Sequence, residues 1–153
     1  MRDRSIGELV LAKNAGLPTA VTAAGTGDAT EVDGSTIDRQ ALGSRMDSVQ
    51  LVVHGNVTLT SGKTLSIAMN LQDSPDDSTW TDFGDVQAST VVVTATGGAL
   101  TASDFADFIN RDIRGANRYI RAQWTPDLNH TGTDTAMVAG TLIFGGAEEL
   151  PAA

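Results

Sequence analysis

The sequence predicts an all-β fold, an antiparallel sandwich or barrel entered by an extended N-terminal arm. Three observations predict it. The best-patterned segments alternate apolar and polar residues with period two. β-Branched runs end at Gly, Pro or Asp turn signals at regular spacing. Long helical patterns of the kind that join parallel strands are scarce. The chain has 153 residues, enough for one domain with its own core.

In chain order, residues 1–24 come first. They hold Gly16, Pro18 and many small residues without sustained alternation, and they read as an arm. Their apolar residues Ile6, Leu9, Val10 and Leu11 are too few to build a core element. They are also too apolar to stay solvated without reason, so we assign them to partner binding. Residues 25–146 read as the β domain and 147–153 as a short tail. "ATEVDGSTIDR" (29–39) is a strand broken at Asp33-Gly34. "SVQLVVHGNVTL" (48–59) and "KTLSIAMNLQ" (63–72) are two strands joined by "TSGK", a tight turn in which Gly62 supplies φ > 0. "STVVVTAT" (89–96) ends at Gly97-Gly98. "TASDFADFINRDIRG" (101–115) fits a short helix capped by Ser103 or an extended segment with a bend, and we favour the latter. "NRYIRAQWTP" (117–126) alternates and is expected to stop at Pro126. "DTAMVAGTLIFGG" (134–146) is the last strand, with Gly140 as a possible bulge. Leu65, Ile67, Met69, Leu71, Ile120, Trp124, Leu142 and Phe144 are the expected core.

Hydrophobic residues make up 41% of the chain, and the formal net charge is −9. An acidic surface repels nucleic acid and anionic membranes, so neither is an expected partner. There is no cysteine, which excludes disulfides, thiolate zinc sites and a cysteine nucleophile. The apolar run Leu9–Ala12 is too short for a secretory signal or a membrane span. The expectation is a soluble chain made in the cytoplasm.

The densest polar stretch is "LQDSPDDSTWTDFG" (71–84). Asp73, Asp76, Asp77 and Asp82 offer four carboxylates, but a calcium loop needs alternate oxygens, a glycine at the bend and a closing Glu. Pro75 sits where flexibility is required. The stretch reads as a hairpin loop, with Trp80 and Phe83 covering the end of the core. "SGKT" (61–64) ends like a phosphate-binding loop, but Val57 stands where the first glycine belongs, and a strand follows. "GTGDAT" (25–30) lacks the third glycine of a dinucleotide fingerprint, and no G-x-S-x-G elbow is present. His54 falls inside a strand and His130 in a loop, with no nucleophile marked beside either. "RYIR" (118–121) reads either as an Arg and aromatic contact face or, as we favour, as a strand whose arginines pair with nearby acids. No catalytic, cofactor or metal residues are therefore assigned.

"MNLQDSPDDSTWTDFG" resembles the strand–loop–strand pattern LQxSxDxxxWxDxG of small tailed-phage structural proteins. "RGANRYIRAQWTP" and "GTDTAMVAGTLIFGG" resemble their C-terminal strand pair. The likeness covers about 65–146 and is closest to phage capsid cement, or head decoration, proteins of the kind found in Bordetella phages. It implies a jelly-roll-like domain that forms a homotrimer and sits on the outside of an icosahedral head. The implied partners are the major capsid protein and two further copies of the chain, with no active site and no cofactor. The implied location is the virion. Two other readings stay open: a carbohydrate-binding β-sandwich, since "RYIR" is also similar to discoidin-like modules, and a tail or head-fibre component.

Overall fold

The computed structural model describes residues 6–129 and 132–149. Residues 1–5 of the arm, His130, and residues 150–153 of the tail lie outside the described residues. A single helical turn, α1 (Ile6–Leu9), leads into β1 (Val10–Thr22). Two short strands follow, β2 (Val32–Asp33) and β3 (Ile37–Asp38), then a 3-10 turn over Arg39–Ala41. The remaining strands are β4 (Ser48–Leu59), β5 (Thr64–Ser74), β6 (Thr81–Asp82), β7 (Gln87–Thr94), β8 (Leu100–Asp112), β9 (Tyr119–Leu128) and β10 (Thr135–Gly145).

The strands form two antiparallel sheets. The first has the order β1-β10-β4-β8. The second runs β2-β9-β5-β6, with β3 also on β9 and β7 also on β5. Taking β2/β3 as one interrupted strand and β6/β7 as another leaves eight strand positions, in the orders 1-8-3-6 and 2-7-4-5. One long antiparallel ribbon folded over itself gives this arrangement, pairing first with last, second with seventh, third with sixth and fourth with fifth. The fold is a jelly roll.

Period-two alternation builds the core. Val49, Leu51, Val53, Val57 and Leu59 of β4 and Val138, Leu142 and Phe144 of β10 point inward from the first sheet. Leu65, Ile67, Met69 and Leu71 of β5 meet them with Ile120, Ala122, Trp124 and Leu128 of β9. All eight side chains expected in the core are buried.

Three sequence expectations are corrected. First, residues 10–22 are not an arm outside the fold. They form the edge strand β1, which runs along β10 from Val10↔Gly145 to Thr22↔Thr135. Ala15 and Val21 are buried in the core. Two register shifts, at Asn14/Gly16 and Gly16/Thr19, break the alternation that would have marked the strand. They also give Pro18 a place where no ladder bond is needed. Second, the bulge expected at Gly140 lies on its neighbour β1, because β10 pairs with β4 without interruption through Gly140↔Val53. Third, Pro126 does not end β9. Its carbonyl accepts from Ala29 N at 2.9 Å, so its nitrogen faces the same side, past the end of β2, where no donor is required. One step on, Leu128 N on that side donates to Asp28 Oδ1 at 2.8 Å.

The ambiguous segment 101–115 is extended, as favoured, and forms most of β8. The seam between the sheets is tied by Gly34 N to Ala122 O (2.8 Å) and Ser35 N to Ala15 O (2.6 Å). The break in the strand at Asp33-Gly34 thus lets one segment cross from β9 to β1.

Candidate interaction surfaces

The outer face of the first sheet carries no charged side chain on its two central strands. Along β4 its outward residues are Ser48, Gln50, Val52, His54, Asn56 and Thr58. Along β10 they are Thr135, Met137, Ala139, Thr141, Ile143 and Gly145. None of these is Asp, Glu, Lys or Arg. β8 adds Ala106, Phe108 and Asn110 between Asp104 and Asp112. Phe108 lies beside Val52 and is 54% exposed, and Met137 is 40% exposed. The polar members satisfy one another: His54 Nε2 lies 3.2 Å from Thr141 Oγ1, and Gln50 donates to Asn110 Oδ1 at 3.0 Å. At one side of this face β1 is the edge strand: Ser35 N bonds to its Ala15 carbonyl, and among the described residues no strand forms a ladder along that edge.

The four residues assigned to partner binding sit where α1 joins β1. Ile6 is 77% exposed and Leu9 40% exposed. Val10 and Leu11 are half-buried, with Leu11 packed against the core. The structure therefore separates the group into an exposed pair and a pair that belongs to the edge strand.

The outer face of the second sheet is different. Asn70 and Gln123 point outward yet are buried, because residues 28–35 and 79–87 rise on either side of them. Asn70 Nδ2 donates to Asp82 Oδ1 (2.7 Å) and Gln123 Oε1 (3.5 Å). Gln123 Nε2 donates to Glu31 Oε1 (2.9 Å) and Asp33 Oδ1 (2.5 Å). Arg121 is held by Gln72 Oε1 (2.9 and 2.7 Å) and Asp33 Oδ2 (3.2 Å), and it stacks on the Trp80 ring at 4.6 Å. Trp80 is therefore not the core cover the sequence suggested. It lies outside the sheet as a platform for Arg121, while Phe83 does pack against the core. Arg118 pairs with Asp38 (2.7 Å), so both arginines of "RYIR" have acidic partners.

The Asp-rich stretch is a turn built around one carboxylate. Asp76 Oδ1 accepts from Ser74 Oγ (3.0 Å), Ser78 N (3.0 Å) and Thr79 N (2.8 Å). These donors hold its carboxyl well below the usual carboxylate range. Asp73 is buried and accepts from Asn117 N (2.7 Å) and Thr81 Oγ1 (3.2 Å), joining two loops. Among the described residues, no group of three or more His, Asp or Glu side chains is arranged to hold a metal ion. The same end of the sandwich carries Arg39, Arg45, Arg114 and Arg118 around a depression of about 510 Å³. Arg39 donates to the carbonyls of Ala116 and Asn117, and Arg45 meets Glu148 at 3.2 Å.

No family model matches this chain, and no curated protein matches it. Solved structures are similar to it in fold. One is the PBSX exported protein XepA, with 14% identity over 91% of this chain and a TM-score of 0.48. This chain spans 38% of the length of that one. Another is the infectious bursal disease virus VP2 subviral particle, with 11% identity over 94% of this chain, 34% of that chain and a TM-score of 0.45.

Proposed function

We propose that this chain is a structural virion protein that binds the outer surface of a tailed-phage capsid as a homotrimer and stabilises the head. The observation that carries this reading is the outer face of the first sheet. A chain of net charge −9 repels its own copies and other acidic surfaces. A flat face without charged side chains on β4 and β10, with Phe108 and Met137 standing out of it, lets protein pack on protein without that repulsion. The stretch of the β1 edge before Ala15 and the exposed Ile6 and Leu9 beside it offer a second contact, in which a neighbouring strand adds to the sheet through main-chain hydrogen bonds. Three copies on a threefold site multiply weak contacts. The resemblance of residues 65–146 to head decoration proteins supports the same reading. In it the major capsid protein is the partner, the chain has no catalytic role, and it resides on the capsid.

Light scattering at micromolar concentration, followed by co-sedimentation with undecorated heads, tests this. Wild type is expected to be trimeric and to pellet with heads. Phe108→Asp and Met137→Asp, both at exposed positions, are expected to keep the fold and lose one or both associations. A monomer that does not pellet, or variants that behave as wild type, would overturn the reading.

A further inference from the structure

The cleft on the second sheet has chemistry that the proposed capsid role does not use. Its volume is about 310 Å³, and its lining includes Glu31, Ala68, Asn70, Asp82, Gln123 and Thr125. That size lies at the small end of the range for small-molecule sites.

Proton accounting defines what it takes. Both amide protons of Asn70 go to Asp82 and Gln123. Both of Gln123 go to Glu31 and Asp33. Gln72 gives one more to Asp82. These partners fix the amide orientations, since a flipped Asn70 would turn its oxygen toward the Asp82 carboxylate. The acceptors are in surplus. Asn70 is 7% exposed, and its Oδ1 has no partner among the described residues. Glu31 and Asp82 each keep a second carboxylate oxygen that no side chain among the described residues engages. Among the described residues, no cationic side chain lines the cleft. Arg121, the nearest guanidinium, is committed to Gln72, Asp33 and the Trp80 ring.

A lining rich in acceptors and bearing two carboxylates selects a positively charged group made of donors. An ammonium has three N–H donors and no acceptor. A sugar would bring acceptors as well, and here it would find few donors and no open aromatic face.

We propose that this cleft binds an alkylammonium group, either a lysine side chain of a partner protein or one end of a polyamine. The free oxygens of the Glu31 and Asp82 carboxylates supply the charge and the acceptors, and the unpartnered Asn70 Oδ1 adds its partial negative charge without direct contact. The apolar edges of Ala68 and Val86 lie along the alkyl stem.

The test is an NMR titration of ¹⁵N-labelled protein, read at the side-chain amide signals of Asn70 and Gln123. The probes are 1,4-diaminobutane and Nα-acetyl-lysine methylamide, with calcium chloride and methyl glucoside at matched concentration. Both amines are expected to move these signals saturably in the millimolar range, and the other two are not. A diamine bound much more tightly than the lysine derivative identifies a polyamine as the source, and equal binding identifies a lysine. Glu31→Gln keeps the oxygen that Gln123 uses and removes the charge, so amine binding is expected to weaken roughly fivefold. Ala68→Leu fills the cleft and is expected to abolish it. No saturable shift with either amine overturns the proposal. So does binding indifferent to both substitutions, or methyl glucoside or calcium binding as well as the amines.

Discussion

Gly140→Ala probes the tightest packing in the sandwich. Trp124 is 1% exposed, and the outer ring of its indole lies against two glycines of the opposite sheet. A Cβ on Gly140 would stand 2.8 Å from Trp124 Cη2 and Cζ3, and one on Gly16 would stand 2.4 Å from Cη2. Carbon atoms rest about 3.5–4.0 Å apart, so ring or backbone must move by roughly 1 Å. β10 is paired on both sides, by β1 and β4, and β9 is held between β2 and β5. Neither can move that far without straining its ladder. Overpacking of this kind costs about 1–3 kcal/mol, and Gly140→Ala is expected in the upper half of that range. Gly16 makes the closer contact but lies in the bulged edge strand, which can yield outward, so about 1–2 kcal/mol is expected there. Urea unfolding followed by far-ultraviolet circular dichroism measures both. Trp124→Phe removes the outer ring. Combined with Gly140→Ala in a double-mutant cycle, it should recover at least about 1 kcal/mol of coupling. A loss below about 0.5 kcal/mol for Gly140→Ala, or simple additivity in the cycle, would refute the packing argument.

Three further outcomes are expected. Deleting residues 1–9 should leave the melting temperature nearly unchanged. Deleting 1–22 removes the whole of β1, with buried Ala15 and Val21, and should cost on the order of 3 kcal/mol or more; equal melting of the two truncations would contradict the assignment of β1. Asp73→Ala leaves Asn117 N without its acceptor and should destabilise by about 1–3 kcal/mol in the same urea assay, with Asp73→Asn milder because one oxygen remains. The third concerns acid. Arg114 donates to Asp112 from its side chain (2.9 and 3.0 Å) and from its backbone N (3.0 Å), which lowers the Asp112 carboxyl from 3.8 to about 2. A depressed folded pKa means this contribution is complete above 3.8 and is lost as pH falls from there toward 2. The carboxyl carbon of Asp112 should therefore titrate near the lower value and move up in Arg114→Ala; a wild-type midpoint near 4 would contradict it.

The long central strands were legible because one face of each is buried, which imprints period two on residues 48–59, 63–72, 117–126 and 134–146. The eight expected core residues follow from that imprint. β1 was not legible because two one-residue shifts and Pro18 disrupt the alternation, and its burial depends on Trp124, more than a hundred residues away. Pro126 misled for a related reason: whether a proline stops a strand depends on what lies beside its nitrogen, and here β2 has already ended. The cleft was half visible. Asn70, Gln72, Arg121 and Gln123 could be read as outward-facing residues of two strands. That Asn70 and Gln123 are buried, and that Asp82 and Glu31 stand over them, depends on loops distant in sequence. The aromatic signal at Trp80 was ambiguous because stacking on a guanidinium and covering a core both call for an aromatic residue beside a turn.

The capsid reading is tested most directly by cryo-electron microscopy of undecorated tailed-phage heads incubated with the purified protein. Added density is expected on the outer surface, three copies of the jelly roll about each occupied position, with the uncharged face of β4 and β10 or the β1 edge turned toward shell or neighbour. Bare heads at saturating protein, or bound copies with that face and the β1 edge both open to solvent, would contradict it.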